Sequence, residues 1–271
     1  MTVQTVGRTA LVTGSSRGIG RGIAVRLVEC GVQHVAVHYH QNRQAAEQTV
    51  RMIEDRGGKG LLLHGDLSQL DDVERVFDKV RVEFGTLDVF VSNARSDLAR
   101  FYQPALSITV EQWQDAIDGQ ARAFLVGARE SAKLMNDGTG RIVAVTYAPG
   151  SATGTWRPWA AMGAAKSAVE SLCRYFAAAL AERGITVNAV SPGLTDDSVL
   201  NGLPPEAFDA IKARCQSGWT PMRRMTTPKD VGDAVGLLCS AEAGFITGQV
   251  IHCDGGASTA LADLPMPLQT G

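Results

Sequence analysis

A glycine-rich segment near the start of the chain has the composition of a phosphate-binding turn. Residues 13–20 read Thr-Gly-Ser-Ser-Arg-Gly-Ile-Gly, with Gly14, Gly18 and Gly20 lying between an apolar run and a helical pattern. Glycine lets the backbone approach a pyrophosphate closely, and the N-terminus of the following helix directs its free N–H groups at the anion. A tight structural turn would also use glycine, but the strand–turn–helix context favours a nucleotide site.

The residues after the second apolar run bear on which dinucleotide this site would take. Residues 38–43 read His-Tyr-His-Gln-Asn-Arg and include no carboxylate, the group that hydrogen-bonds the ribose 2′-hydroxyl in NAD sites. A 2′-phosphate is instead favoured by cations. Arg17, inside the glycine-rich segment, and Arg43, just beyond the run, therefore predict NADP(H) as the cofactor. Arg43 has an equally good interpretation as a solvated arginine at the start of a helix.

These residues must be positioned by an alternation of short apolar runs and longer helical patterns. The runs are continuously apolar, which is typical of parallel strands covered on both faces. The alternation predicts an α/β fold, a single doubly wound Rossmann-type domain with a seven-stranded parallel sheet and helices on both faces. The predicted strands span 9–13, 34–39, 60–64, 87–92, 141–146, 186–190 and 249–253, and the predicted helices span 19–29, 43–56, 69–84, 109–136, 158–183 and 228–239. The domain is assigned to residues 1–257, followed by a C-terminal tail over 258–271.

Composition and charge exclude several classes of protein. Of the 271 residues, 45% are hydrophobic, and the formal net charge is −2, so neither disorder nor a polyanion-binding surface is indicated. The five cysteines form no CxxC pair and no cluster with histidine, which predicts reduced thiols and no metal site. No apolar run reaches the ~18 residues of a membrane span, and the first residues lead directly into a strand pattern. We therefore expect a cytoplasmic protein that binds a small molecule, and neither nucleic acid nor a membrane.

Five motifs in sequence order resemble those of the short-chain dehydrogenase/reductase family. They are the GxxxGxG segment at 14–20, Asp66-Leu67, Ser92-Asn93-Ala94, the run Asn-Ala-Val-Ser-Pro-Gly at 188–193, and the run 246–256, which begins Ile-Thr-Gly-Gln and ends Asp-Gly-Gly. The resemblance implies that Asp66 and Leu67 contact the adenine and that the run 188–193 contacts the nicotinamide. Together with the charges discussed above, it implies a cofactor site at Gly14, Ser16, Arg17, Gly18, Ile19, Gly20, His40, Asp66, Leu67, Asn93, Lys166, Pro192 and Gly193.

The family's proton-transfer residues are only partly matched. The usual set is a tyrosine acid, a lysine four or seven residues later that holds the nicotinamide ribose, a serine on the fifth strand and an asparagine on the fourth helix. The chain has six lysines, and none is preceded by tyrosine at either spacing. Lys166 occupies the family's lysine place, with Met162 four residues before it. Trp159 lies seven residues before it, the spacing found in the family's enoyl-thioester reductases.

The places of the other family residues are also changed. Trp159 is expected to fill the tyrosine place, although an indole N–H donates a hydrogen bond and is no practical acid. The serine place falls on Thr146 or Tyr147, and the asparagine place falls near Gly119 or Gln120.

The missing tyrosine leaves three functions open. Hydride delivery to a ketone needs an acid, worth roughly 10²–10⁴ in rate, whereas delivery to an iminium cation gives a neutral amine and needs none. The preferred interpretation is an NADPH-dependent reductase of an imine or iminium in a secondary metabolite. Asp197 or Asp196 would stabilise the cation, unless both acids are solvated loop residues. Alternatively, Tyr147 substitutes as the acid for carbonyl or enoyl reduction, or the chain binds nucleotide without catalysis.

Arg122 and the tryptophans complete the predicted substrate site. Arg122 could bind a substrate carbonyl through its fork of donors, or it could be a charge on the surface of its helix. Trp156 and Trp159, on either side of Pro158, could stack on a flat aromatic substrate or pack in the protein interior. The residues expected in a substrate loop and lid are Phe101, Tyr102, Leu203, Pro204, Phe208 and Trp219.

The combination of Arg122, the segment 158–166 (Pro-Trp-Ala-Ala-Met-Gly-Ala-Ala-Lys) and the missing tyrosine also resembles a fungal branch of the family from indole-alkaloid pathways. That resemblance implies NADPH-dependent iminium reduction coupled to an intramolecular Diels–Alder cyclisation, with Trp159 and Arg122 placing the diene and the amide carbonyl. The family also implies a homodimer or homotetramer assembled through the long helices 109–136 and 158–183.

Overall fold

Seven parallel strands form the central sheet. The computed structural model describes residues 3–95, 103–147, 159–197, 200 and 203–259. The strands are β1 Thr9–Val12, β2 His34–Tyr39, β3 Lys59–His64, β4 Val89–Ser92, β5 Arg141–Val145, β6 Thr186–Pro192 and β7 Val250–Cys253. Their order is β3-β2-β1-β4-β5-β6-β7, and every neighbouring pair is parallel. The winding reverses between β1 and β4, and open sheets of this kind bind ligands at the carboxyl ends of the strands at such a point.

Helices follow most of the strands. The described α-helices are α1 Gly18–Glu29, α2 Arg43–Glu54, α3 Leu70–Phe84, α4 Val110–Ile117, α5 Ala123–Leu134, α6 Ala160–Leu180, α7 Pro205–Arg214 and α8 Pro228–Leu238. A π-helical turn, Asp118–Arg122, joins α4 to α5, and a second one, Cys215–Trp219, follows α7. None of the helices that the structure describes combines the length and apolar character needed to cross a membrane.

Two apolar layers cover the two faces of the sheet. Alternate residues of β1 point to opposite layers, since Leu11 packs in the cluster that includes Phe77, Phe90 and Phe124, whereas Val12 packs with Ile23 of α1. The first layer is closed by α3, α5 and α6, and the second by α1, α2 and α8. Covering both faces requires apolar residues at every strand position, which explains the continuous runs in the sequence. The predicted fold is therefore confirmed.

Two local features differ from the sequence-based expectations. The predicted helix over 109–136 is two helices separated by the π-helical turn. Helix α7 was not predicted because none of its residues is fully buried; its apolar side chains Phe208 and Ile211 are only partly covered, so the apolar stripe is weak. Most of the predicted C-terminal tail, residues 260–271, lies outside the described residues.

Candidate active site

A cleft of about 750 Å³ lies at the carboxyl ends of β1, β2, β4, β5 and β6. It is lined by the segments that follow these strands and by the start of α6. The predicted site residues that line it are Gly14, Ser16, Arg17, Gly18, Ile19, Gly20, His40, Asn93, Tyr147, Trp159, Lys166, Pro192, Gly193 and Asp197. Asp66, Leu67 and Arg122 are not among the lining residues.

The glycine-rich turn has the backbone geometry of a phosphate site. Gly14 and Gly18 have φ angles of 64° and 55°, which L side chains rarely adopt. A Cβ at Gly20 would lie within 3.0 Å of the Gly14 carbonyl oxygen and the Asn93 amide. Arg17, the N-cap of α1, makes no side-chain capping hydrogen bond, so the N–H groups of the first turn are open to an anion. The turn therefore fits the pyrophosphate of a dinucleotide.

The loop after β4 is tied to this turn by Thr13 and Asn93. Thr13 Oγ1 accepts hydrogen bonds from the backbone N–H groups of Asn93 and Ala94, at 2.9 and 3.0 Å. The Asn93 amide donates in return to the carbonyl oxygens of Thr13 and Gly14, at 2.9 and 3.2 Å. Because Asn93 satisfies carbonyl groups of the turn, it positions the phosphate site.

His38 holds the same turn from β2, a role that the sequence interpretation missed. Its Nδ1 accepts a hydrogen bond from the N–H of Gly14, and its Nε2 lies 3.1 Å from the carbonyl oxygen of Gly65. Burial lowers the pKa of His38 to about 4, so the ring is neutral at pH 7 and Nε2 carries the proton donated to Gly65. A histidine inside an otherwise apolar strand was the available signal.

Arg21 joins the turn to α2 and was also not singled out from the sequence. Its guanidinium donates to the carbonyl oxygens of Ser16 and Ala45, at 2.7 and 3.0 Å, and to Thr49 Oγ1 at 3.0 Å. Burial lowers the pKa of Arg21, but a guanidinium remains charged. A fixed cation is therefore held against the backbone of the phosphate-binding turn.

The two arginines predicted to select the dinucleotide differ in their surroundings. Arg17 is exposed where the glycine-rich turn meets α1. Arg43 also lines the cleft, but its Nε donates to Glu47 Oε1 at 2.8 Å on the same helix. The geometry thus leaves Arg17 as the better candidate for a 2′-phosphate.

The predicted adenine contacts lie beside the cleft. His40 Nε2 lies 3.8 Å from Asp66 Oδ2, which connects Asp66 to a lining residue. Asp66 Oδ1 accepts hydrogen bonds from the N–H and hydroxyl groups of Ser68, and Leu67 packs against the apolar layer that contains Phe77. The Asp66 side chain therefore shapes the loop after β3.

Lys166 is buried at the cleft wall. Only 6% of its surface is exposed, and its Nζ donates to the carbonyl oxygen of Val145 at 2.7 Å. Burial, together with the charge of Arg95, lowers the pKa of Lys166 to about 7, while the charge of Glu170 opposes this shift. The amine can therefore gain or lose its proton near neutral pH.

Tyr147 and Trp159 form the wall next to Lys166. Their rings are stacked, with centroids 5.1 Å apart and planes inclined by 23°. Trp159 is the N-cap of α6, and Tyr147 follows β5 by two residues. Met162, four residues before Lys166, is buried and also lines the cleft. Both residues predicted for the serine place, Thr146 and Tyr147, thus line the cleft.

Asp197 is a buried carboxylate at the same cleft. Its exposure is 9%, and it follows the loop that begins at Gly193. The N–H of Gly193 donates to the carbonyl oxygen of Cys253 at 3.1 Å, and Asp196 N donates to Thr226 at 2.8 Å. Of the two acids predicted here, Asp197 is therefore buried and Asp196 is exposed.

Arg122 is engaged away from these residues. Its guanidinium donates to the carbonyl oxygen of Ser68 and pairs with Asp118 Oδ2 at 3.1 Å. The structure therefore does not bring Arg122 to the cleft. Gly119 and Gln120, the two residues predicted near the asparagine place, are buried in the same π-helical turn.

Part of the predicted lid packs as a small apolar cluster. Leu203, Phe208 and Trp219 surround buried Leu200, which lines the cleft. Pro204 is the N-cap of α7. Phe101, Tyr102, Trp156 and Pro158 lie outside the described residues.

Within the described ranges, no group of three or more side chains has a composition that could hold a metal ion.

Comparisons with known proteins find similar reductases. The family model described as "Enoyl-(Acyl carrier protein) reductase" matches residues 14–258. The chain is 36% identical over 257 residues to 1-cyclohexenylcarbonyl-CoA reductase of Streptomyces collinus, covering 93% of this chain and 87% of that protein.

Solved structures lead to the same family. The promiscuous reductase LugOII, which catalyses keto-reduction at C1 in lugdunomycin biosynthesis, matches with a TM-score of 0.84 and 32% identity over 95% of this chain and 100% of that one. The angucycline C-6 ketoreductase LanV with bound NADP matches with a TM-score of 0.84 and 30% identity over 95% of this chain and 98% of that one. The chain therefore belongs to the short-chain dehydrogenase/reductase family of oxidoreductases.

Proposed function

We propose that this chain is an NADPH-dependent reductase of α,β-unsaturated thioesters in which Tyr147 donates a hydrogen bond to the substrate carbonyl. The observation that carries this proposal is that β5 and α6 bring Tyr147, Trp159 and Lys166 to one cleft. Tyr147 thus supplies a phenol at the cleft wall even though Met162 stands four residues before the lysine, and its hydroxyl is buried there. The relative from Streptomyces collinus, whose name specifies a cyclohexenylcarbonyl-CoA, supports a thioester substrate.

NADP(H) is the cofactor, and the cleft offers partners for its pyrophosphate, its 2′-phosphate and its nicotinamide. The glycine-rich turn takes the pyrophosphate, Arg17 takes the 2′-phosphate, and the backbone of Pro192 and Gly193 takes the nicotinamide. When bound, NADPH supplies the hydride. The NADP held by LanV, a neighbour with the same fold, supports this choice.

Tyr147 supplies the donor that the reaction needs. Hydride addition to the β-carbon of an enoyl thioester leaves an enolate with negative charge on the carbonyl oxygen, and a fixed donor stabilises that charge. A proton taken up from solvent at the α-carbon completes the reduction. Stacking on Trp159 restricts the phenol ring, so less entropy is lost when its hydroxyl aligns with the substrate. Trp159 and buried Met162 also exclude water from the reacting atoms.

Lys166 supplies positive charge beside this donor. Because its pKa is about 7, part of the population carries an ammonium at neutral pH. Nζ is held in place by its hydrogen bond to the carbonyl oxygen of Val145, a residue that lies two positions before Tyr147 in the chain. A cation held in a poorly solvated wall stabilises negative charge far more than one in water.

The second candidate is reduction of an imine or iminium, which buried Asp197 favours. A carboxylate with 9% exposure at the cleft would stabilise a cationic substrate electrostatically. A coupled Diels–Alder cyclisation, as in the fungal branch that the sequence resembles, would depend on Trp159 for placement, because Arg122 is bound to Ser68 and Asp118.

The two candidates are separated by substrate panels. The purified protein is mixed with NADPH and with enoyl thioesters, ketones or cyclic iminium salts, and loss of the reduced cofactor's absorbance is followed. Enoyl-thioester turnover that disappears in Tyr147→Phe supports the first candidate. Iminium turnover that survives Tyr147→Phe and falls in Asp197→Asn supports the second. If the protein binds NADPH but turns over no substrate in any of the panels, both candidates are excluded and the chain is a nucleotide-binding protein without catalytic activity.

Self-association as a homodimer or homotetramer is part of this proposal. Apolar side chains are exposed near the β7 edge, at Leu237, Phe245 and Ile246, and on the helices at Trp113 and Tyr175. Large exposed apolar side chains that cluster on a surface favour an interface. Light scattering of the purified protein measures the assembly, and a monomer at micromolar concentration would contradict it.

A further inference from the structure

Glu170 is a buried carboxylate that the proposed reaction does not use. It lies on α6 four residues after Lys166, and 7% of its surface is exposed. Its Oε1 has no hydrogen-bond partner among the described residues. Burying a carboxylate oxygen without a hydrogen-bond partner is unfavourable, so a buried glutamate on α6 needs a physical explanation.

The helix places Glu170 beside Lys166. Residues four apart on an α-helix are neighbours, with Cβ atoms about 5–6 Å apart. Both side chains are more than nine-tenths buried, so water screens their interaction poorly. Lys166 Nζ donates to Val145, so Glu170 acts on the ammonium through space.

The other charged and titratable groups around Lys166 come from three loops. Arg95 after β4, Tyr147 after β5 and Asp197 after β6 line the same cleft. Burial and Arg95 disfavour the ammonium, and Glu170 favours it. Cys173, on the turn after Glu170, has a pKa raised by burial and by the Glu170 charge, so its thiol stays neutral.

We propose that Glu170 is a positioning residue whose negative charge keeps Lys166 protonated in the working enzyme. Glu170 acts on the lysine electrostatically, and it is not among the residues that line the cleft, so it touches neither substrate nor cofactor. The inference rests on the proposed function only for the use of the ammonium in reduction. The coupling between the two side chains exists in the protein whatever its substrate.

The coupling is measured by titrating Lys166 directly. Protein labelled with ¹³Cε-lysine has six lysine signals, and Lys166→Arg identifies the one from Lys166. The Lys166 signal should titrate with a midpoint near pH 7 in the parent protein. Glu170→Gln should lower this midpoint by about 1 pH unit, and Glu170→Asp should give an intermediate value, because the charge is kept but displaced.

A matched control removes the same charge elsewhere. Glu182 is exposed beyond the end of α6, and Glu182→Gln should leave the Lys166 midpoint unchanged. An unchanged midpoint in Glu170→Gln would overturn the proposal and leave Glu170 a packing residue. If Glu170→Gln does not fold, Glu170→Asp decides, and a midpoint equal to that of the parent would overturn it.

Turnover gives a second, separable readout. The high-pH limb of the enoyl-thioester rate should move to lower pH in Glu170→Gln by the same amount as the Lys166 midpoint. If the parent protein turns over no thioester, the proposed function fails while the titration still tests the coupling. A shifted Lys166 midpoint with an unshifted rate profile would overturn the claim that the ammonium serves catalysis.

Discussion

The two ends of the cleft are built in different ways. The cofactor end is made mainly of backbone, since the turn depends on glycine φ angles, the open N–H groups of α1 and the close approach at Gly20. Buried side chains hold that backbone in place through hydrogen bonds, as His38 and Asn93 do. A site of this kind tolerates few changes, because most substitutions would block the ligand or move the turn.

The reaction end is made of side chains on β5 and α6. Lys166, Tyr147 and Trp159 line this end, and the rings of Tyr147 and Trp159 are stacked. Side chains reach a common point from several backbone positions, so a donor can change its position in the sequence while the chemistry is kept. We therefore predict that substitutions at the cofactor end impair binding by distorting the backbone. Substitutions at the reaction end should instead impair turnover by removing single functional groups.

Removing the Tyr147 hydroxyl gives the largest expected effect. Tyr147→Phe keeps the stacking on Trp159 but removes the donor, so thioester turnover should fall by about 10²–10⁴ with NADPH affinity unchanged. Single-turnover absorbance of the reduced cofactor measures this rate. Tyr175→Phe, at an exposed position on α6, is the control. Full thioester turnover in Tyr147→Phe would contradict the proposal, because it would show that the reaction end needs no phenol.

Acid should weaken the fold through His38. Its pKa is about 4 in the folded protein and 6.5 in the unfolded chain, so only the unfolded chain gains this proton between those values. Stability therefore falls as the pH drops from 6.5 to 4, by up to about 3 kcal/mol for this group. Urea unfolding of the parent and of His38→Gln at several pH values isolates the contribution.

The physical reason lies in the hydrogen bonds of the ring. A protonated imidazole has two N–H donors, so Nδ1 can no longer accept the hydrogen bond from Gly14. His252→Gln, at an exposed position, should leave the pH dependence as it is in the parent. Equal pH slopes in the parent and in His38→Gln would show that His38 does not hold the cofactor end.

Filling the space at Gly20 tests the steric part of the cofactor end. A Cβ there would push on the Gly14 carbonyl and the Asn93 amide, and overpacking of this kind costs about 1–3 kcal/mol. Gly20→Ala should therefore weaken NADPH about 10–100-fold, as measured by fluorescence titration. Gly57→Ala, where no atom lies within 4 Å, should change stability alone. Equal NADPH affinity in both variants would mean that the turn adjusts freely.

The same contrast explains what could be predicted from the sequence. Gly14, Gly18 and Gly20 are close in the chain, and the strand and helix periods are local, so the fold and the phosphate site could be predicted. His38 and Arg21 act across elements, so their partners at Gly65 and Thr49 could not be inferred from spacing.

Arg122 shows a different limit of sequence reasoning. The expectation that Arg122 faces the substrate site assumed one continuous helix over 109–136. The π-helical turn Asp118–Arg122 adds a residue to the repeat and rotates the side chains that follow it. The guanidinium contacts the carbonyl oxygen of Ser68, on the segment after β3, and Asp118, four residues earlier in the chain.

The smallest expected effect concerns the choice between NADPH and NADH at the cofactor end. Arg17 is exposed beside the phosphate turn, whereas Arg43 already pairs with Glu47. Arg17→Ala should weaken NADPH by about 10-fold, the value of one charge-assisted phosphate contact, and should leave NADH nearly unchanged. Arg43→Ala should have a smaller effect because its charge is partly neutralised. Competition titrations with both nucleotides measure the difference, and equal weakening of NADPH and NADH by Arg17→Ala would show that the 2′-phosphate is recognised by other residues.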